Sequence, residues 1–208
     1  WIRCASKRRP VARESDRVLL AFDQGTLLLD REVLPDGVEA PECFQPDPRL
    51  GGRLRAPAIE YRRALAALLR AGVAVEDEAR AYEELELKPR VEREPFPHQA
   101  QALEAWLAGR RRGVVVLPTG AGKSYVAVMA IAQTGRSALI VAPTIDLMTQ
   151  WMNLLSTQFG DELVGGLGGG LNDVRPLTVT TYDSAYIHMP DFGDRFGLLV
   201  FDECHHLC

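Results

Sequence analysis

"GVVVLPTGAGKSYVAV", residues 113–128, decides the fold of this chain. The apolar run between Gly113 and Pro118 predicts a short buried strand, and the residues after Gly122 predict a helix. Between them lies the turn Gly120-Ala121-Gly122, preceded by Thr119 and followed by Lys123 and Ser124. Glycines at such a turn let backbone N–H groups point at phosphate oxygens, and the N-terminus of the next helix favours negative charge. Lys123 would reach the β- and γ-phosphates of a nucleotide, and the Ser124 hydroxyl would sit on magnesium. The full phosphate-loop pattern asks for glycine five positions before Gly122, where Leu117 stands, so a plain glycine-rich turn is the alternative. Lysine is scarce in this chain, only Lys7, Lys88 and Lys123, and one of the three falls here.

A second loaded stretch is "LLVFDECHHLC", residues 198–208. An apolar run ending in two acids suits a strand that delivers its last aspartate, Asp202, to a magnesium shell, with Glu203 orienting and deprotonating the attacking water. The competing reading is a zinc site made of Cys204, His205, His206 and Cys208. Adjacent residues on an extended strand point to opposite faces. Structural zinc sites space their paired cysteines by two to four residues and add a distant second knuckle, which this chain lacks. A buried strand end with incidental His and Cys would leave two acids unexplained.

Around these motifs the chain alternates. "QAQALEAWLAG" predicts a helix, "SALIVAP" a strand, "IDLMTQWMNLLSTQFG" a helix that Thr144 caps, and "LTVTTYD" and "GLLVFDE" further strands. Strands alternating with helices predict an α/β fold with a parallel sheet covered on both faces. The glycine run "GGLGGG", residues 165–170, predicts a flexible loop.

The first part of the chain has a different pattern. Residues 1–16 are basic and aperiodic and predict a disordered tail. "RVLLAFDQGTLLLDREVL" predicts a hairpin turning at Asp23-Gln24-Gly25-Thr26. "PDGVEAPECFQPDPRLGGRLRAP" predicts a loop, "AIEYRRALAALLRAG" a helix with Ile59, Leu65, Leu68 and Leu69 inward and Gly72 at its C-terminus, and "VAVEDEA" a short strand. These make a small α+β domain over 17–86, a linker over 87–98, and a second domain over 99–208.

Composition bounds the rest. The 208 residues carry a net charge of −4 and 47% hydrophobic content, an ordinary globular balance with no overall basic footprint. Arg53, Arg55, Arg62 and Arg63 form a local basic group around the predicted helix. Four cysteines without scaffold spacing, no spanning apolar run and no signal sequence predict a protein of the reducing cytoplasm, with no membrane partner.

With both motifs placed, "PTGAGKS" and "DECHH" resemble motifs I and II of superfamily 2 helicases of the DExH kind, in which Leu before "PTG" is usual. Gln99 in "PFPHQ" resembles the upstream glutamine that reads adenine, "APTIDLMTQW" resembles motif Ia, and "VTTYDSAY" resembles the DNA-contact segment after it. The set looks closest to the XPB family of DNA helicases, whose small damage-recognition domain the first part resembles in pattern and position. The resemblance implies a P-loop, RecA-like lobe, ATP and Mg2+ as cofactors, and a 3′→5′ translocase on DNA serving repair or transcription, with a nuclease or other repair protein as a further partner. It implies DNA contacts at Thr144, Thr180, Thr181 and Tyr182, phosphate contacts at Thr119, Gly120, Ala121, Gly122, Lys123 and Ser124, and coupling of nucleotide to strand movement through His205 or His206. The family often has an arginine shortly before the glutamine, and here Phe96 stands in that area. The family's second lobe, with its arginine finger, follows motif II. The 208 residues are therefore expected to be an N-terminal piece that binds ATP without turning it over at a helicase's rate. Rivals are another superfamily 2 motor (a restriction-type translocase or an RNA helicase), a P-loop kinase, which would not need Asp-Glu-x-His, and a zinc-stabilised DNA-binding module. "TYDSAY" and the upstream domain argue against the other motors.

Overall fold

The computed structural model describes residues 17–31 and 33–207, and the expectations placed on residues 1–16 and on Cys208 lie outside that range. The chain forms two compact units that divide between Arg80 and Ala81, six residues before the expected boundary.

The first unit is a five-stranded sheet with one helix. Strands β1 (Val18–Asp23) and β2 (Thr26–Asp30) form the expected hairpin. Alternation puts Val18, Leu20, Leu27 and Leu29 on the buried face. The Pro- and Gly-rich stretch expected as loop supplies two more strands, β3 (Gln45–Pro46) and β4 (Arg53–Pro57), the latter pairing antiparallel with β2. Leu54 and Ala56 alternate inward on β4, a pattern that the surrounding turn residues hide. Helix α1 (Tyr61–Arg70) packs Ala64 and Leu68 into the core, while Ile59 and Leu69, expected inside, are exposed. Gly72 ends α1 in the left-handed conformation: its N–H donates to the Leu69 carbonyl and that of Val73 to Leu68, a Schellman turn. The chain then enters β5 (Val75–Glu78), parallel to β1.

The second unit is a five-stranded sheet in the order β10-β6-β9-β7-β8. Helices α2 (Pro97–Ala108) and α3 (Lys123–Thr134) lead into β6 (Ala138–Ala142) and α4 (Ile145–Phe159). Next come β7 (Val164–Gly168), β8 (Leu171–Asp173), β9 (Leu177–Thr181), α5 (Tyr182–Phe192) and β10 (Leu198–Phe201). β10, β6, β9 and β7 are parallel, and β8 adds an antiparallel edge. β6 is buried at every position, as a strand covered on both faces must be. Residues 81–87 belong here: Leu87 is in the core, Leu85 N–H donates to Gly135, and Ser137 N–H donates to Glu83. Among the described residues no helix is long and apolar enough to cross a membrane.

In the second unit two expectations fail. "GGLGGG" is mostly strand, because a Cβ on Gly165 would lie 2.1 Å from the Asp173 carbonyl oxygen and one on Gly166 2.7 Å from Leu171, so glycine serves close approach. "GVVVLP" forms no strand and joins no sheet: Val114 and Val116 are 72% and 85% exposed, and no described strand pairs with them.

In the first unit Asp47 is buried and ties the β3–β4 corner. It accepts from Arg49 at 2.9 and 3.0 Å and from Arg55 Nε at 3.0 Å, while Arg55 Nη2 also reaches Asp23 at 3.0 Å. The Arg49 guanidinium, helped by its backbone N–H and by Arg55, holds the Asp47 carboxyl well below the usual carboxylate range. A lowered folded-state pKa contributes stability that is present above the ordinary carboxylate pKa and lost as pH falls below it. Asp47→Asn should therefore lower the melting temperature of this unit more at about pH 7 than at about pH 2, where part of the effect is already lost. Circular dichroism melts at both pH values check this, and an equal drop at both would refute it.

Candidate functional site

The parallel strands β10, β6 and β9 end at the same edge of their sheet, where open α/β sheets place their ligand sites. Asp202 follows β10, Thr144 follows β6 and Thr181 ends β9. The phosphate-loop sequence leads into α3, whose N-terminal residue is Lys123. A cleft of about 800 Å³ is lined by Lys123, Ser124, Trp151, Asp202, Glu203 and His205, with Val114–Leu117 on its apolar side.

The loop has the conformation that glycine permits. Gly120 and Gly122 have φ of +77° and +76°. Thr119 and Gly120 are exposed, and Ala121 is half-buried. Lys123 Nζ lies 3.5 Å from the Leu117 carbonyl oxygen and 3.9 Å from Glu203 Oε1, so the loop's cation and the second acid of "DE" face each other across the cleft.

Asp202 is fixed from several sides. Its Oδ2 accepts from the Trp151 indole at 2.8 Å and its Oδ1 from the Glu203 N–H at 3.1 Å. Its own N–H donates to Val141, and its carbonyl accepts from the Tyr182 hydroxyl at 2.7 Å. Glu203 differs: its backbone is left-handed, φ +48°, a strained state for a residue other than glycine, of the kind that clusters at functional sites. Its side chain is partly exposed and lies 3.4 Å from His205 Nδ1. The side chain of His206 lies outside the described residues.

Two of the expected site residues are fully buried. Gln99 accepts from Phe96 N–H at 3.1 Å and donates to the Ala121 carbonyl at 2.9 Å, so its amide is bonded to the phosphate loop. Thr180 donates to the Leu167 carbonyl at 2.7 Å. Thr144 and Thr181 cap α4 and α5 through Leu147 N–H and Ser184 N–H. The Tyr182 ring stacks on Phe201, and burial, followed by the nearby Cys204, Asp202 and Glu203, pushes its hydroxyl pKa up. In the first unit Arg55 is committed to Asp23 and Asp47, while Arg53, Arg62 and Arg63 are exposed.

Sequence reasoning missed Arg93. Its guanidinium lies 4.1 Å from the centre of the Tyr125 ring and would stand 3.8 Å from a Cβ on Gly122, beside the loop. Tyr125 is in the first turn of α3, so the pairing joins residues far apart in sequence, and only the nearby "PFPHQ" could have hinted at it. Trp151, read only as part of a helix and of the motif Ia resemblance, was missed in the same way.

Hard oxygen donors, the Ser124 hydroxyl and the Asp202 carboxylate, beside a lysine and a helix N-terminus fit magnesium and a polyphosphate. Residues 92–208 match the family described as type III restriction enzyme, res subunit, and residues 20–79 match the Xeroderma pigmentosum group B helicase damage recognition domain. Among curated proteins, the chain is 47% identical over 110 residues to the DNA 3'-5' translocase XPB2 of Sulfurisphaera tokodaii, covering 53% of this chain and 25% of that protein. It is 35% identical over 120 residues to the DNA 3'-5' helicase XPB of Mycobacterium tuberculosis, covering 53% and 22%. It is 32% identical over 146 residues to the general transcription and DNA repair factor IIH helicase/translocase subunit XPB1 of Arabidopsis thaliana, covering 59% and 18%. The chain thus spans a quarter or less of the length of these relatives.

Gly120→Ala and Gly122→Ala separate backbone strain from packing. Both place a side chain at positive φ, costing about 1–2 kcal/mol. At Gly120 nothing lies within 4 Å of the new Cβ, whereas at Gly122 it would meet Gln99 Nε2 at 2.3 Å. Urea unfolding should show Gly122→Ala as the more destabilising by about 1 kcal/mol or more. Equal losses would mean that the Gln99 contact is unimportant.

Proposed function

This chain belongs to the type III restriction enzyme, res subunit family and is an XPB-type superfamily 2 helicase chain; on that premise we propose that it binds Mg-ATP and that the protein containing it spends ATP to move 3′→5′ on DNA. The observation that best supports the reading is Lys123 facing Glu203 across the cleft, with Asp202 fixed beside them.

Lys123 and the α3 N-terminus hold the β- and γ-phosphates, and Thr119 to Gly122 supply backbone donors. Ser124 and Asp202 hold magnesium, which neutralises phosphate charge when bound. Glu203 takes the proton of the attacking water, and its exposed, left-handed position lets it reach outward. Gln99 keeps the loop in shape, and Arg93 is placed to stack on or bond to the nucleotide's base. His205, against Glu203, connects the acid to the rest of the motor.

DNA phosphates meet the capped N-termini of α4 and α5 at Thr144 and Thr181, where free N–H groups gather. The first unit meets DNA through Arg53, Arg62 and Arg63. Of the two motor types that shared the sequence signals, the XPB type is favoured over the restriction type by the damage-recognition match at residues 20–79. We place this work in the cytoplasm, with a repair nuclease or similar protein as partner.

Lys123→Ala should weaken ATP binding by about tenfold or more, because it removes charge-assisted hydrogen bonds worth roughly 1.5–3 kcal/mol each. Glu203→Gln should leave binding intact and slow hydrolysis by the full-length protein by about 10²–10⁴. Calorimetry on the 208-residue chain and steady-state assays on the full-length protein measure the two. Unchanged affinity in the lysine variant would end the nucleotide assignment.

A further inference from the structure

We infer that Trp151 is a positioning residue: its indole N–H sets the Asp202 carboxylate for magnesium and joins α4 to the nucleotide site. The inference rests on the nucleotide reading above and deepens it.

Trp151 is buried in the core between α4 and the sheet, so packing alone would explain an aromatic ring there. Packing does not explain why the indole N–H meets Asp202 Oδ2 at 2.8 Å. A buried indole needs an acceptor, and a carbonyl would serve. Here it meets Asp202, whose main chain is also anchored, by Val141 on one side and Tyr182 on the other. With Oδ1 accepting the Glu203 N–H, the carboxylate cannot turn about its Cβ–Cγ bond without losing both bonds. Each oxygen keeps a lone pair for the cleft. Hydrogen-bonded outer partners of this kind set the orientation of metal-ligating carboxylates.

The two grips come from different helices. Trp151 lies two turns into α4, which Thr144 caps, and Tyr182 is the first residue of α5, which Thr181 caps. Movement of either helix is therefore felt at Asp202, through the side chain from α4 and through the main chain from α5. Among the described residues Glu203 has no comparable anchor on its carboxylate, which faces Lys123 and His205. One acid is held and its neighbour is left able to adjust.

The test uses the 208-residue chain with ¹⁵N-labelled tryptophan. The Trp151 indole resonance, assigned by its loss in Trp151→Phe, should move in Asp202→Asn, where a neutral acceptor replaces a charged one, and should move again when Mg2+ is added with ATP. By calorimetry, Trp151→Phe, which keeps an aromatic ring in the core, should weaken the Mg2+ contribution to ATP affinity by about tenfold and leave ATP affinity in EDTA within about twofold. If Trp151→Phe lowers only the melting temperature and keeps the Mg2+ contribution, the tryptophan is core packing and the inference fails. If that variant does not fold, Asp202→Asn decides: a Trp151 signal that does not move overturns the inference. A native chain that takes no ATP, with a signal that does move in Asp202→Asn, overturns the nucleotide reading and leaves only the grip.

Discussion

The parallel pairing of β10, β6 and β9 is the constraint on which the second unit depends. Parallel strands need a crossover between them, and each crossover here returns the chain to the same starting edge. The ends of the three strands therefore gather at the opposite edge. Asp202, Thr144 and Thr181 come from loops far apart in sequence and meet because β6 lies between β10 and β9. Its five buried residues leave it no alternative register, since a slip by one would turn Leu139 and Val141 into the layer that Ile140 occupies.

Within that frame the site divides its labour by anchorage. Asp202 is fixed by four hydrogen bonds, two on its carboxylate and two on its main chain. Glu203 holds a strained backbone and a carboxylate that faces Lys123 and His205. A metal ligand benefits from being preorganised, because any reorientation on binding costs free energy. A proton acceptor must follow its water. The same two letters of sequence thus have different mechanical settings.

The motifs were legible because their chemistry is local. The glycine turn with Lys123 and Ser124, and Asp202-Glu203 at the end of an apolar run, each sit within one loop. The strands β6, β9 and β10, the first hairpin and α1 were legible by period. What was hidden depends on partners. The burial of Gln99 and the bond from its amide to Ala121 could not be read from its place in "PFPHQ". The glycines at 165–168 looked like slack until the crowding around β7 appeared. Thr180 and Tyr182 share a segment with Thr181, but neither directs its hydroxyl outward, because alternation along β9 and the start of α5 turn them to the interior.

The valines at 114–116 show the same limit from the other side. Their apolar run reads as a buried strand, yet a strand exists only where a neighbour completes its hydrogen-bond ladder. β10 is paired with β6 on one side, and among the described residues no strand pairs with its other side. Leu199 and Phe201 on β10 and Val114 and Val116 across the cleft are all exposed in consequence. The apolar wall of the cleft and this edge of the sheet are one surface. Leu117, whose carbonyl lies against Lys123, is the next residue along, so this apolar surface runs directly into the phosphate loop.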